Sequence, residues 1–278
     1  MKADSFADPE RLELDLLLEA ITQHYGYDFS DYARASLVRR VKKYMELVNA
    51  RQISELIPLF LHDSQAFQVF VESMSVVVTE MFRDPDVFKV LREDVIPVLK
   101  TYPFIKIWHA GCASGQEVYS MAIMLEEAGL LDRCQIYATD FNDEALKMAR
   151  KGIYPSDEVE LYENNYRLSG GKEKLSKNWV CLYNSIKINS RFAERITFAS
   201  HNLVTDGAFG EMNLVMCRNV LIYFNEQLQD RALNLINDSL CSRGFLCIGR
   251  RENLSFNQIR QSLEDINNKL RIYRKKGA

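Results

Sequence analysis

The chain is short of the residues that build metal centres or disulfide scaffolds. Its four histidines are scattered and form no HExxH pair, so it does not read as a zinc enzyme. Cys112, Cys134, Cys181, Cys217, Cys241 and Cys247 make no CxxC pair and mostly sit in apolar runs, which suits reduced thiols in a cytoplasmic protein. No apolar run approaches the ~20 residues of a membrane helix. The opening Met1-Lys2-Ala3-Asp4-Ser5 has no apolar signal core. An excess of positive charge is missing too: the net charge of −3 argues against general nucleic-acid binding. What the chain does have is apolar material, 47% of 278 residues, enough for a core without metal or disulfide support.

Residues 105–120 organise the rest. The extended run Ile105-Lys106-Ile107-Trp108 feeds a small-residue turn, Gly111-Cys112-Ala113-Ser114-Gly115. A helix follows, with Val118, Met121, Ala122 and Leu125 at helical spacing. Strand, tight turn and helix predict the first unit of an open α/β sheet, whose ligands bind outside the carboxyl ends of the strands. The turn lacks the Lys-Ser/Thr of a P-loop and the third glycine of G-x-G-x-x-G, so it is no phosphate cradle. Glu117, at the helix start, would repel a pyrophosphate and accept hydrogen bonds from a cationic or hydroxyl-bearing ligand. A second strand, Gln135–Thr139, ends in Asp140, where an acid suits a ribose diol. Adenosine without phosphate, plus a positive centre, points to S-adenosylmethionine ahead of a nicotinamide cofactor.

Residues 1–75 read as a helical domain, with Leu14, Leu17, Leu18 and Ile21 on one helix face and Leu37, Val41, Tyr44 and Val48 on the next. Arg39, Lys42 and Lys43 fall opposite that second face, either as a solvated surface or as a docking face for an acidic helical partner. Residues 76–104 are read as the join. Within them Arg83 is either an ordinary surface charge or a fork for a carboxylate ligand. From 105 to 278 the α/β pattern runs on. Asn142 is the expected cap of a helix closed by Gly152. Residues from about 153 to 195, with Tyr154, Tyr162, Tyr166 and Tyr183, break the pattern as an inserted subdomain or flap. Strands are expected at Ile196–Ala199, Met212–Cys217 and Gly244–Gly249, with Leu270–Arg274 as a last edge strand. His201 reads as structural.

With these residues collected, the chain resembles the chemotaxis receptor methyltransferases, the CheR family. The resemblance runs through Val78-Thr79-Glu80-Met81-Phe82-Arg83-Asp84-Pro85, Gly111–Ser120, Ala138-Thr139-Asp140, Asn202-Leu203 and Cys217-Arg218-Asn219-Val220-Leu221-Ile222-Tyr223-Phe224. It implies a Rossmann-like sheet with an inserted small β-subdomain after a small all-helical domain. The activity implied is methyl transfer from S-adenosylmethionine to glutamate carboxylates of chemotaxis receptors, with S-adenosylhomocysteine as product. The chain would act as a cytoplasmic monomer, with receptors as partners and no membrane insertion.

By position, the resemblance implies that Thr79 and Arg83 line the cofactor site, with Glu117 at its amino-acid or sugar portion. Asp140 would meet the ribose hydroxyls, and Asn202 and Leu203 would flank the adenine. Arg218, Asn219 and Tyr223 would face the methyl-transfer cleft, with Arg83 or Arg218 on the acceptor carboxylate and Tyr223 donating to it. Read alone, Leu203 and Val220 are equally plain core, Tyr223 a packing residue and Asp140 a helix cap. The chain departs from the family at Val77, where an amide is common, at Gln116, where an acid is common, and at Arg250-Arg251. These departures leave room for a non-catalytic S-adenosylmethionine or S-adenosylhomocysteine-binding module, or for a methyltransferase with a different acceptor.

Overall fold

The computed structural model describes residues 8–29, 34–74, 79–254 and 258–277. Val77 lies outside them. Residues 8–74 with Ile222–Gln229 form one compact unit, and the remaining described residues form a second.

In the first unit, Asp8 caps α1 (Pro9–Tyr25), accepting from the Glu10 N–H at 3.2 Å, and Pro9 needs no partner at the first helical position. Gly26 ends the helix at φ +76°. Leu14, Leu17 and Ile21, on one stripe, are buried. They join α2 (Arg34–Val48), α3 (Leu56–His62) and α4 (Ser64–Met74) through an aromatic cluster. In it the Phe60 and Phe70 centroids lie 4.7 Å apart, and Tyr44 packs edge-on to Phe70 at 5.2 Å. Residues 222–229 close the unit: Tyr27 bridges Phe224 antiparallel, and the Asn225 N–H donates to the Gly26 carbonyl at 3.2 Å.

The second unit begins with α5 (Pro85–Val90), a π-helical turn (Leu91–Val95) and α6 (Ile96–Leu99). Pro97 has no N–H to return to residue 93, and the helix widens into the π turn just before it. The stretch expected to be a join is therefore partly core, since Phe82, Val87, Phe88, Leu91 and Val95 are fully buried. Then come β1 (Ile105–Ala110), α7 (Gln116–Glu127), β2 (Cys134–Asp140) and α8 (Asp143–Lys151). α8 carries its acids in the first turn and its bases in the last, with Asn142 accepting from the Ala145 N–H and Gly152 left-handed at its end. The break after α8 contains β3 (Ile153–Pro155), α9 (Val159–Leu168), β4 (Trp179–Cys181) and β5 (Ser185–Ile188). Its three strands form a separate antiparallel sheet in the order β3-β5-β4.

The main sheet resumes with β6 (Ile196–Ser200) and β7 (Met212–Cys217). After α10 (Glu226–Ser239) come β8 (Leu240–Ile248), β9 (Leu263–Asn267) and β10 (Ile272–Lys275). The order is β6-β2-β1-β7-β8-β10-β9. The first five strands are parallel, and the last two form an antiparallel hairpin against β8. The expected final edge strand is thus interior: β10 pairs with β8 on one side and β9 on the other. Strand order reverses between β1 and β7, so the turns after these strands, with those after β2 and β6, share the carboxyl rim where such sheets bind ligands.

Candidate functional site

The turn after β1 is built for close approach. Gly111 and Gly115 have φ +74° and +90°, and Ala113 joins them in the left-handed region at +47°. A Cβ on Gly111 would sit 2.4 Å from Val220 Cγ2, so glycine is required there on two counts. The turn is pinned from the end of β2. Asp140 accepts from the Ala113 N–H at 2.8 Å and from the Asn142 N–H at 2.9 Å. Burial pushes the Asp140 carboxyl up, against the pull of the Asn142, Ala113 and Phe141 N–H groups.

A line of charge crosses from this turn to the one after β7. Glu117, on the first turn of α7, accepts from Arg218 Nη1 at 2.7 Å on one oxygen. On the other it meets His109 Nδ1 at 3.0 Å. Burial pushes the Glu117 carboxyl up, but the Arg218 charge and the His109 hydrogen bond outweigh it and hold it down at about 2. Arg218 Nη1 also donates to the Arg83 carbonyl at 3.2 Å, and Nη2 pairs with Asp84. Asp84 in turn lies 3.7 Å from Arg250, which also pairs with Asp86. Arg250, a departure from the family in the sequence, is therefore an exposed member of this network.

The structure alters the expectation for Arg218. Its side chain is 1% exposed, Nη1 and Nη2 are taken by two carboxylates and a carbonyl, and Nε is buried with no partner among the described residues. Arg83 is different. It is half-buried, lies between two left-handed residues, Phe82 (φ +54°) and Asp84 (φ +55°), and its guanidinium has no ion pair among the described residues. Thr79 is half-buried nearby in the chain. Asn202 uses its carbonyl oxygen locally, accepting from the Val204 N–H at 2.9 Å, and Leu203 is buried. Asn219 is half-buried at φ +62°. Gln116 accepts from the Ser114 hydroxyl at 2.7 Å and hydrogen-bonds with Tyr162 on α9, so it braces the turn against the insert. Tyr223 belongs to the first unit, where its carbonyl accepts from the Asp28 N–H. Arg39, Lys42 and Lys43 are exposed on α2 in that unit, Lys42 paired with Glu10 at 2.9 Å.

Two residues of this constellation were not singled out as site residues from sequence. His109 follows the run Ile105–Trp108 and counts there only among the four scattered histidines. Glu252, 4% exposed, accepts from the N–H groups of Val220 and Leu221 at 2.8 Å each and from that of Gly249. It clamps the turn carrying Arg218 and Asn219. The carboxylate set suits a ligand bearing an ammonium and a diol, and Arg83, without an ion pair among the described residues, suits a carboxylate. Those are the groups of S-adenosylmethionine, and nothing in the turn asks for phosphate.

Comparison with known proteins decides the family. Residues 77–270 match the CheR methyltransferase SAM-binding domain, and residues 12–75 match the CheR methyltransferase all-alpha domain. The chain belongs to the CheR methyltransferase family. It is a methyltransferase whose cofactor is S-adenosylmethionine. This CheR methyltransferase is 45% identical over 264 residues to the Pseudomonas putida protein named Cher3, covering 95% of this chain and 97% of that one. It is 30% identical over 261 residues to a chemotaxis protein methyltransferase of Listeria innocua, covering 92% and 96%. It is also 29% identical over 254 residues to a 104.1 kDa protein of Rhodobacter capsulatus, covering 87% of this chain and 25% of that one. The seven-stranded sheet with its inserted three-stranded sheet is the Rossmann-like architecture expected of the family. No helix among the described residues is long and apolar enough to cross a membrane.

Proposed function

We propose that this CheR methyltransferase esterifies glutamate side chains of chemotaxis receptors in the cytoplasm. The observation that carries the proposal is the rim after β1, β2 and β7: an ionised, doubly held Glu117, a buried Asp140 and an Arg83 with no ion pair among the described residues, around a turn without bulk. Chemotaxis protein methyltransferases among the relatives support the acceptor class.

When bound, S-adenosylmethionine supplies a methyl group already activated by its sulfonium. Glu117 would hold the cofactor's ammonium, Asp140 the ribose hydroxyls, and Thr79, Asn202, Leu203 and Asn219 would line the remaining contacts. Arg83 would hold a carboxylate. Arg218 would serve by fixing Glu117 and the 83–84 backbone. A glutamate acceptor has a pKa of ~4.3 and arrives ionised. The chain then needs no general base at this site; its work is alignment and partial removal of water from the acceptor. Arg39, Lys42 and Lys43 would steer an acid-rich helical receptor segment toward the first unit.

The test is methyl transfer from labelled S-adenosylmethionine to receptor-containing membranes, followed by alkali. Carboxyl methyl esters release volatile methanol under base and N-methyl groups do not. The expected result is base-labile label that disappears with Asp140→Ala. Cofactor binding with no label on receptors would remove the receptor from the proposal and leave another acceptor.

A further inference from the structure

His109 is the one imidazole inside the parallel part of the sheet, and cofactor chemistry alone does not call for it. It sits on β1 at 1% exposure, with Ala138 of β2 and Met216 of β7 as its register partners. Nδ1 lies 3.0 Å from Glu117 Oε1, and Nε2 is buried with no hydrogen-bond partner among the described residues. A buried polar atom left alone is costly, so the site retains this ring at the expense of stability. Glu117 is ionised, and a carboxylate only accepts, so the shared proton belongs to Nδ1. Arg218 pins only the other oxygen, at 2.7 Å. A carboxylate held at one oxygen can still turn about its Cγ–Cδ bond; held at both, it presents one plane to the ligand.

We propose that His109 is a positioning residue of the cofactor site, whose Nδ1–H fixes the Glu117 carboxylate in the orientation that receives the cofactor's ammonium. This rests on the assignment of Glu117 to the cofactor. It differs from a space-filling role in what replaces it. Asparagine places its amide nitrogen where Nδ1 was, glutamine reaches toward the Nε2 position, and leucine supplies bulk alone.

The experiment is calorimetric titration of the full chain and its variants with S-adenosylhomocysteine. His109→Leu and His109→Gln are expected to weaken binding by about 10-fold, the loss of one hydrogen bond to a charged group. His109→Asn is expected to stay within about 3-fold of the parent. Leucine and glutamine variants that bind like the parent, or an asparagine variant as weak as leucine, would overturn the proposal. Should the variants fail to fold, ring nitrogen-15 spectra of the parent decide: a proton on Nδ1 is expected, and an Nδ1 without a proton rules the proposal out. Glu117→Gln separates the two levels. If it leaves affinity unchanged, the cofactor assignment of Glu117 falls, and this proposal with it. If it weakens binding while His109→Leu does not, only the role of His109 falls.

Discussion

The turns after β1 and β7 face the same rim and solve the same problem in different ways. Each holds a non-glycine residue in the left-handed region, Ala113 in one and Asn219 in the other. Each is clamped by a buried carboxylate from the end of the neighbouring strand, Asp140 after β2 and Glu252 after β8. The β1 turn has no charge of its own. The β7 turn carries Arg218 and is packed shut, its Glu252 taken up by the backbone of residues 219–221 and 249. Both acids are taken up by backbone N–H groups, Asp140 by those of Ala113 and Asn142 and Glu252 by those of Val220, Leu221 and Gly249.

The largest break in this comparison should come from Gly111→Ala. A Cβ there meets Val220 across the gap between the two turns and also imposes a positive φ on alanine. Overpacking and backbone strain together predict a loss of about 3–4 kcal/mol in urea unfolding. Val220→Ala in the same chain should return the steric share, and no recovery would mean the turns do not touch in solution as they do here. Glu252→Ala comes next. It strands the N–H groups of Val220, Leu221 and Gly249 and should cost about 2–3 kcal/mol, with Glu252→Gln in between. A cost under about 1 kcal/mol would show that water replaces the clamp.

The smallest effect sharpens the charge link between the turns. Glu117 titrates at about 2 in the folded chain, below its ordinary 4.5, so its ionisation stabilises the fold above about pH 4.5. That contribution is lost as pH falls from there toward 2. Glu117→Gln should flatten the acid limb of the stability profile, with about 2 kcal/mol less lost between about pH 5 and 3. An unchanged acid limb would mean that the ion pair with Arg218 does not persist.

These turns also mark how far the sequence could be read. The β1 turn, its helix and Asp140 stand close together in the chain, and small residues between an apolar run and an amphipathic helix have few other uses. The clamp on the β7 turn comes from more than thirty positions downstream, inside Gly249-Arg250-Arg251-Glu252-Asn253, where the arginines drew notice and the glutamate did not. The family resemblance places Arg218 at the methyl-transfer cleft, and no neighbouring residue in the chain announces its partners. Two carboxylates, Glu117 and Asp84, draw it inward instead. β9 was missed because Leu263-Glu264-Asp265-Ile266-Asn267 has only two apolar residues and reads as loop; pairing with β10 makes it a strand. The small sheet of β3, β4 and β5 is legible from the residues only as a break in the α/β pattern, and as a β-subdomain only through the family resemblance.

The bridge between Tyr27 and Phe224 bears on biosynthesis. The first unit is discontinuous: its helices leave the ribosome early, but the segment that pairs with residues 26–28 is made about 200 residues later. Until then Tyr27 lacks its partner strand and Gly26 the Leu228 side chain that covers it. A nascent chain arrested before residue 222 should hold a loosened N-terminal unit, and a gene fragment ending near residue 75 should yield one that is easily cut by protease.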